Sequence, residues 1–278
     1  MKKNLIASPR AKIALMGGLV LALALIGWGT SVLAITWGEP DVNDAYPNVG
    51  AMVVDTGNGP RQRCSGTLIY PRVFLTAGHC TDGLDADWPV WVNFDQDALN
   101  EDTLLVVEEV ITHPDYVWGG ANPHDVGLLI LADPVPDDIT PATLPDLGFL
   151  DGLKQDGELR TGPEGAKFTV VGYGRTLDWY RQPPETIYVG QRQFAESEYK
   201  ALVPAWLHMS QNMLQGDAGT CSGDSGGPAF WEPDEDTRIL VGITSWGDPN
   251  CIATGFNYRV DIPETLTFIA DVVPDHLP

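Results

Sequence analysis

Short runs of Val, Ile and Leu, each closed by Gly, Pro, Asp or Asn, recur along most of the chain. They fall at residues 51–54, 66–69, 90–93, 104–111, 126–131, 168–171 and 239–245. Apolar runs of this length between turn formers predict strands, and their number and spacing predict an all-β barrel or sandwich. Two segments read as helices, one around 201–214 and one at 263–272, the latter opened by Asp261 and Pro263 and stopped by Pro274. The Pro- and Asp-rich stretch 133–165 predicts a connection between two halves.

The first residues follow a different pattern. Lys2, Lys3, Arg10 and Lys12 precede an apolar run from Ile13 to Trp28, and Val32, Leu33 and Ala34 supply a small-residue exit. This is the layout of a secretory signal cleaved after Ala34. The apolar run falls short of the roughly 20 residues that span a bilayer. Residues 1–34 are therefore read as a signal peptide. The mature chain, 35–278, is expected outside the cell or in a periplasm, with no stable membrane anchor.

Composition narrows the class further. Hydrophobic residues make up 44% of the chain and charged residues 19%, enough to bury a core and to exclude a disordered acidic chain. With 16 Lys and Arg against 38 Asp and Glu, the formal net charge is −22. Nucleic acid is excluded as a partner, because its phosphates need clustered cations. Such a surface repels itself, so a monomer is expected.

Cys64, Cys80, Cys221 and Cys251 all lie in the mature part. An even count in an oxidising compartment favours disulfides. Three pairings are open. The local one, Cys64 with Cys80 and Cys221 with Cys251, would stabilise by roughly 3–4 kcal/mol per bridge in the loop-entropy model. No C-x-x-C pair is present, so a zinc site is not expected.

The chemistry concentrates in three strings. In Gly223-Asp224-Ser225-Gly226-Gly227-Pro228, glycines let the backbone turn sharply around a serine and leave room for an oxyanion. The string also fits the G-x-S-x-G nucleophile elbow, but that fold needs βαβ alternation and a histidine well after the serine, and only His276 follows. A base must come from upstream. Thr76-Ala77-Gly78-His79-Cys80 places a histidine beside a cysteine expected to be bridged. His124-Asp125-Val126 places a carboxylate at the mouth of an apolar strand, where it would be desolvated and need a donor.

Together these strings resemble the chymotrypsin/trypsin family of serine proteases. The order His79, Asp125, Ser225 is the family's, and TAGHC, DVGLLIL and GDSGGP stand where its motifs stand. Cys64-Ser65-Gly66, His113-Pro114-Asp115-Tyr116, Val171-Gly172-Tyr173-Gly174 and Ser245-Trp246-Gly247 match as well, over about 35–272. The resemblance implies two antiparallel six-stranded β-barrels, about 35–140 and 165–262, with the active site between them and a C-terminal helix at about 263–272. It implies His79, Asp125 and Ser225 as the catalytic triad, with the N–H groups of Gly223 and Ser225 as the oxyanion hole. It also implies an inward-folded N-terminus at Ile35 whose ammonium pairs with Asp224. No cofactor or metal is implied; the acids Asp95, Asp97, Glu101 and Asp102 read as a solvated turn rather than a calcium loop.

The same resemblance puts Gly219 and Thr220 at the base of the specificity pocket and Ser245, Trp246, Gly247 and Gly255 along its walls. An open, uncharged pocket predicts cleavage after large apolar residues; Asp217, two residues from Gly219, would restore a Lys/Arg preference if its loop turned it inward. The expected partner is a polypeptide substrate, with proteinaceous inhibitors as further candidates. A catalytically silent binding module on the same fold is the alternative from another class. His113, His208 and His276 read as structural or surface groups.

Overall fold

The computed structural model describes residues 35–162, 164–178, 185–234 and 237–276; the expected signal segment lies outside them. Fifteen strands and three helices follow in order: β1 (Glu39–Pro40), β2 (Val49–Asp55), β3 (Pro60–Tyr70), β4 (Val73–Thr76), α1 (Gly78–Thr81), β5 (Val90–Asn93), β6 (Leu105–Thr112) and β7 (Gly127–Leu131). Then come α2 (Phe149–Gln155), β8 (Lys167–Gly172), β9 (Arg175–Asp178), β10 (Glu185–Tyr188), β11 (Gln193–Val203), β12 (Trp206–Ser210), β13 (Pro228–Asp234), β14 (Thr237–Gly247), β15 (Thr254–Arg259) and α3 (Pro263–Val272). Each apolar run of the sequence lies on one of these strands, and α3 has the expected bounds.

β4 and β7 are buried along their whole length. That is why they read as unbroken apolar runs rather than alternating ones. The first barrel closes in the order β2-β3-β4-β7-β6-β5, with β5 returning to β2. The second runs β11-β12-β15-β14-β13-β8, and the pairing of β8 with β11 closes it. The fold is thus two antiparallel six-stranded barrels with a C-terminal helix. β9 and β10 form a separate two-stranded ribbon. Among the described residues no helix is long and apolar enough to cross a membrane.

Two expectations need correction. Residues 201–214 are not a helix: they hold the end of β11, a turn at Pro204-Ala205, β12, and a 3-10 turn at Met213–Gln215. Pro204 removes a donor and fixes φ, so a helix through it is broken. Leu202, Leu207 and Met209 bury into the second barrel from the resulting hairpin. The first barrel also starts later than residue 35, because β1 pairs with β11 of the second barrel.

A buried cation ties the start of the chain to both barrels. The Arg192 side chain is sealed from solvent, donates to Asp41 at 2.8 Å, and pairs with Asp44. It also donates to the carbonyls of Val49 and Phe94 in the first barrel. Such a charge is stable only when paired and fully hydrogen-bonded, and Arg192 is both.

Candidate active site

β4 ends at Thr76 and the chain turns into the single-turn helix α1, which carries His79 beside the bridged Cys80. The disulfides are Cys64–Cys80 and Cys221–Cys251, the local pairing. β7 begins two residues after Asp125, and its pairing with β4 brings the carboxylate to the histidine. The His79 backbone N–H donates to Asp125 Oδ1 at 2.8 Å, and His79 Nδ1 lies 3.0 Å from Oδ2 and 3.1 Å from Oδ1. Opposite a carboxylate, Nδ1 is the ring nitrogen that carries a proton.

Asp125 is 2% exposed. Burial, the largest influence, pushes its pKa up, but the imidazole, the Ser245 hydroxyl and the His79 N–H outweigh it and hold the group below its ordinary value. The Ser245 hydroxyl reaches Asp125 across the cleft from β14. Sequence reasoning placed Ser245 only in the pocket wall; its bond to Asp125 is a pairing of distant residues with no local signal.

The serine's turn is fastened to the first barrel through Ser65. Its N–H donates to the Ser225 carbonyl at 2.8 Å and its hydroxyl to the Gly223 carbonyl at 3.0 Å. Gln62 donates to that same Gly223 carbonyl at 2.7 Å. Gly223 has φ +100° and Gly226 φ +84°. A Cβ at Gly226 would lie 2.0 Å from Thr76 Oγ1 and 2.3 Å from the Ser65 carbonyl, so only glycine lets the turn approach this closely. Ser225 itself is half-buried.

Asp224 has no access to solvent. It accepts from Gly174 N–H at 2.7 Å and Cys221 N–H at 2.8 Å, yet burial still pushes its pKa up to about 7. Gly172 and Gly174 pack directly against it, and a side chain at either would strike the carboxylate. Ile35 is equally buried. Its nitrogen, here in peptide linkage, donates to Gln193 Oε1 at 3.0 Å, and its carbonyl accepts from Thr176 Oγ1 at 3.5 Å. Thr36 and Gly219 exchange both backbone hydrogen bonds. Ile35 and Asp224 therefore contact one short segment, Gly174–Thr176.

Beside Ser225 lies a cavity of about 170 Å³, lined among others by Thr220, Ser245, Trp246 and Gly247. Gly219 and Gly255, expected at its base and wall, do not line it. A Cβ at Gly219 would lie 2.2 Å from Gln211 Cγ, and one at Gly255 would lie 2.7 Å from Gln211 Nε2. Gln211, 2% exposed, fills the space between the two glycines and donates to the Thr220 carbonyl and hydroxyl at 2.9 and 3.1 Å. Asp217 does not line this cavity; it is buried, and its charge acts on Lys167 of β8. Asp248, at the rim, is spent on the N–H groups of Asn250, Ile252, Ala253 and Thr254, which hold its pKa low against burial. A second cavity of about 450 Å³ continues past Ser245–Gly247 to Trp118, Tyr116 and Trp206, and Trp118 stands edge-on to the His79 ring at 6.0 Å.

The arrangement offers an oriented imidazole, a serine on a rigid glycine turn, and backbone N–H groups beside it. Comparison with known proteins points the same way. A family model described as Trypsin matches residues 35–269. A mouse tryptase is 30% identical over 77% of this chain and 78% of its own length. A trypsin from Saccharopolyspora erythraea is 30% identical over 77% of this chain and 87% of its own. A phenoloxidase-activating enzyme from Bombyx mori is 28% identical over 86% of this chain, which spans only 59% of that protein.

Proposed function

Because the chain belongs to the trypsin family, we propose that it is an exported serine endopeptidase in which Ser225 attacks a peptide carbonyl with His79 as its base. His79 Nε2 takes the serine proton and later delivers it to the leaving amine, while Asp125 holds the imidazole tautomer and stabilises the imidazolium. The oxyanion is received by the N–H groups of Gly223 and Ser225; one such donor is worth about 3 kcal/mol in the transition state. The acyl-enzyme on Ser225 is then hydrolysed by the same groups in reverse.

The observation that carries this reading is the clamp on His79. A buried carboxylate grips both its backbone and its ring, and that carboxylate is held in turn by a hydroxyl from the opposite barrel. A structural histidine has no need of such orientation.

Activation follows from the second buried carboxylate. Cleavage after Ala34 turns the Ile35 nitrogen into an ammonium, which the neutral Gln193 cannot match but Asp224 can. A carboxylate alone in that setting costs several kcal/mol, and pairing offsets it. Signal cleavage would then complete the site without removal of a further propeptide. For the residue before the scissile bond, the cavity beside Ser225, where Asp248 is spent on backbone N–H groups, supports an apolar side chain over Lys or Arg.

The test is digestion of an unfolded protein by the chain beginning at Ile35, with N-terminal sequencing of the active material. Cleavage lost in Ser225→Ala supports the proposal. Cleavage undiminished in that variant refutes the triad, and active material starting elsewhere refutes the activation step.

A further inference from the structure

We propose that the cavity lined by three arginines and bordering Gly223 is a subsite for an acidic residue following the scissile bond. It deepens the endopeptidase reading above and rests on it. The cavity measures about 600 Å³ and is lined by Arg61, Arg63 and Arg175 together with Gln62, Ser222 and Gly223. Among the described residues no carboxylate lines it. In a chain with 16 Lys and Arg against 38 Asp and Glu, three arginines converging on one hollow reverse the local charge.

Its position assigns which part of a substrate it meets. The cavity beside Ser225, which shares Ser245, Trp246 and Gly247 with the larger one, takes the residues before the scissile bond and adjoins the arginine cavity at Ser222 of the serine's turn. The arginine cavity meets that turn only at Ser222 and Gly223, on the side of the Cys64–Cys80 bridge. Arg63 itself donates to the Cys80 carbonyl at 2.9 Å, next to His79, which must protonate the departing amine. The segment leaving with that amine therefore runs toward the arginines.

The cations are also partly pre-positioned. Arg63 is anchored through Nε, and Arg175 through Nε and Nη2 to the Thr186 hydroxyl and carbonyl at 3.2 and 2.9 Å. Each keeps guanidinium N–H groups free for a carboxylate. A guanidinium offers paired donors in the geometry a carboxylate accepts, and anchoring lowers the ordering cost on binding. Asp or Glu within three residues after the scissile bond is the class this site selects.

The test uses quenched peptides identical up to the scissile bond, with Asp, Asn or Lys at the first, second or third position beyond it. The chain beginning at Ile35 should cleave the best Asp peptide with a kcat/KM about tenfold above its Asn counterpart, the yield of a few partly exposed ion pairs. That ratio, taken within each protein and so independent of active fraction, should fall toward one in Arg61→Gln/Arg63→Gln/Arg175→Gln. Should that variant fail to fold, Arg61→Gln alone, at an exposed position, should lower the ratio about twofold. A flat ratio in the unaltered chain, or a preference for Asp that survives loss of the arginines, overturns the subsite alone. Failure to cleave any member of the panel overturns the endopeptidase reading and the subsite with it.

Discussion

Asp125 and Asp224 are two carboxylates shut away from water, one against His79 and one next to Ser225 in the chain, and burial moves them in the same direction. They end on opposite sides of the ordinary value. Asp125 has an imidazole, a hydroxyl and a backbone N–H, and is held low. Asp224 has two backbone N–H groups and no cation, and rises to about 7. Neutral donors alone do not balance the desolvation of a buried charge. Asp125 is matched by its partners while Ile35 is still in peptide linkage; under the proposed activation, Asp224 gains a matching charge only when the Ile35 nitrogen becomes an ammonium.

The difference can be attacked from either end. Removing the base should do most: His79→Ala is expected to lower kcat by roughly 10⁴–10⁶-fold, and adding Ser225→Ala should cost little more, because the two groups act as a unit. Steady-state kinetics on a single peptide decide this, and independent, additive losses would break the assignment. Next is Asp224→Asn in the chain beginning at Ile35. With no carboxylate for the ammonium, the N–H groups beside Ser225 should lose their alignment and kcat/KM should fall about 100-fold, the worth of one oxyanion donor.

The third prediction concerns stability. While Ile35 remains in peptide linkage, folded Asp224 keeps its proton up to about pH 7, whereas unfolded Asp releases it near 4. Between those values the folded state binds more protons, so rising pH favours unfolding. A Ser225→Ala chain retaining residues before Ile35 should lose about 4 kcal/mol between pH 4 and a pH well above 7. The chain beginning at Ile35 should not show this loss from Asp224. Denaturant melts across that range test it, and parallel curves for the two forms would contradict the pairing.

Smaller effects sharpen the comparison. Ser245→Ala removes one donor from Asp125 and should raise the lower pKa of the kcat/KM profile while reducing kcat about tenfold, the worth of a hydrogen bond to a charged group. Gln211→Ala empties the space behind Thr220, between Gly219 and Gly255. It should shift preference toward longer side chains before the scissile bond by 10–200-fold, the range for a change in an apolar pocket. Peptide panels varied at that one residue read it directly.

Much of the barrel architecture was legible because strands such as β4 and β7 are buried on both faces, so runs such as Leu128–Leu131 announce themselves without alternation. The proposed triad could be named from the sequence because glycines and a cysteine crowd into short strings around Ser225 and His79. The misreading at 201–214 arose where apolar residues at helix-like spacing belonged to a hairpin bent at Pro204. Gln211 was illegible for another reason: it reaches Gly219 and Gly255 through the pairing of β12 with β15, and no residue near those glycines advertises it. Ser65 and Ser245 were visible as motif letters, but their bonds to Ser225, Gly223 and Asp125 join segments far apart in the chain.

The most direct test of the whole account is fluorophosphonate labelling of the chain beginning at Ile35, followed by mass mapping of the adduct. One adduct on Ser225, absent in Ser225→Ala and strongly slowed in His79→Ala, is the predicted result. Unlabelled protein that is nonetheless folded, or an adduct on any other residue, would contradict it and leave a binding module on a protease fold.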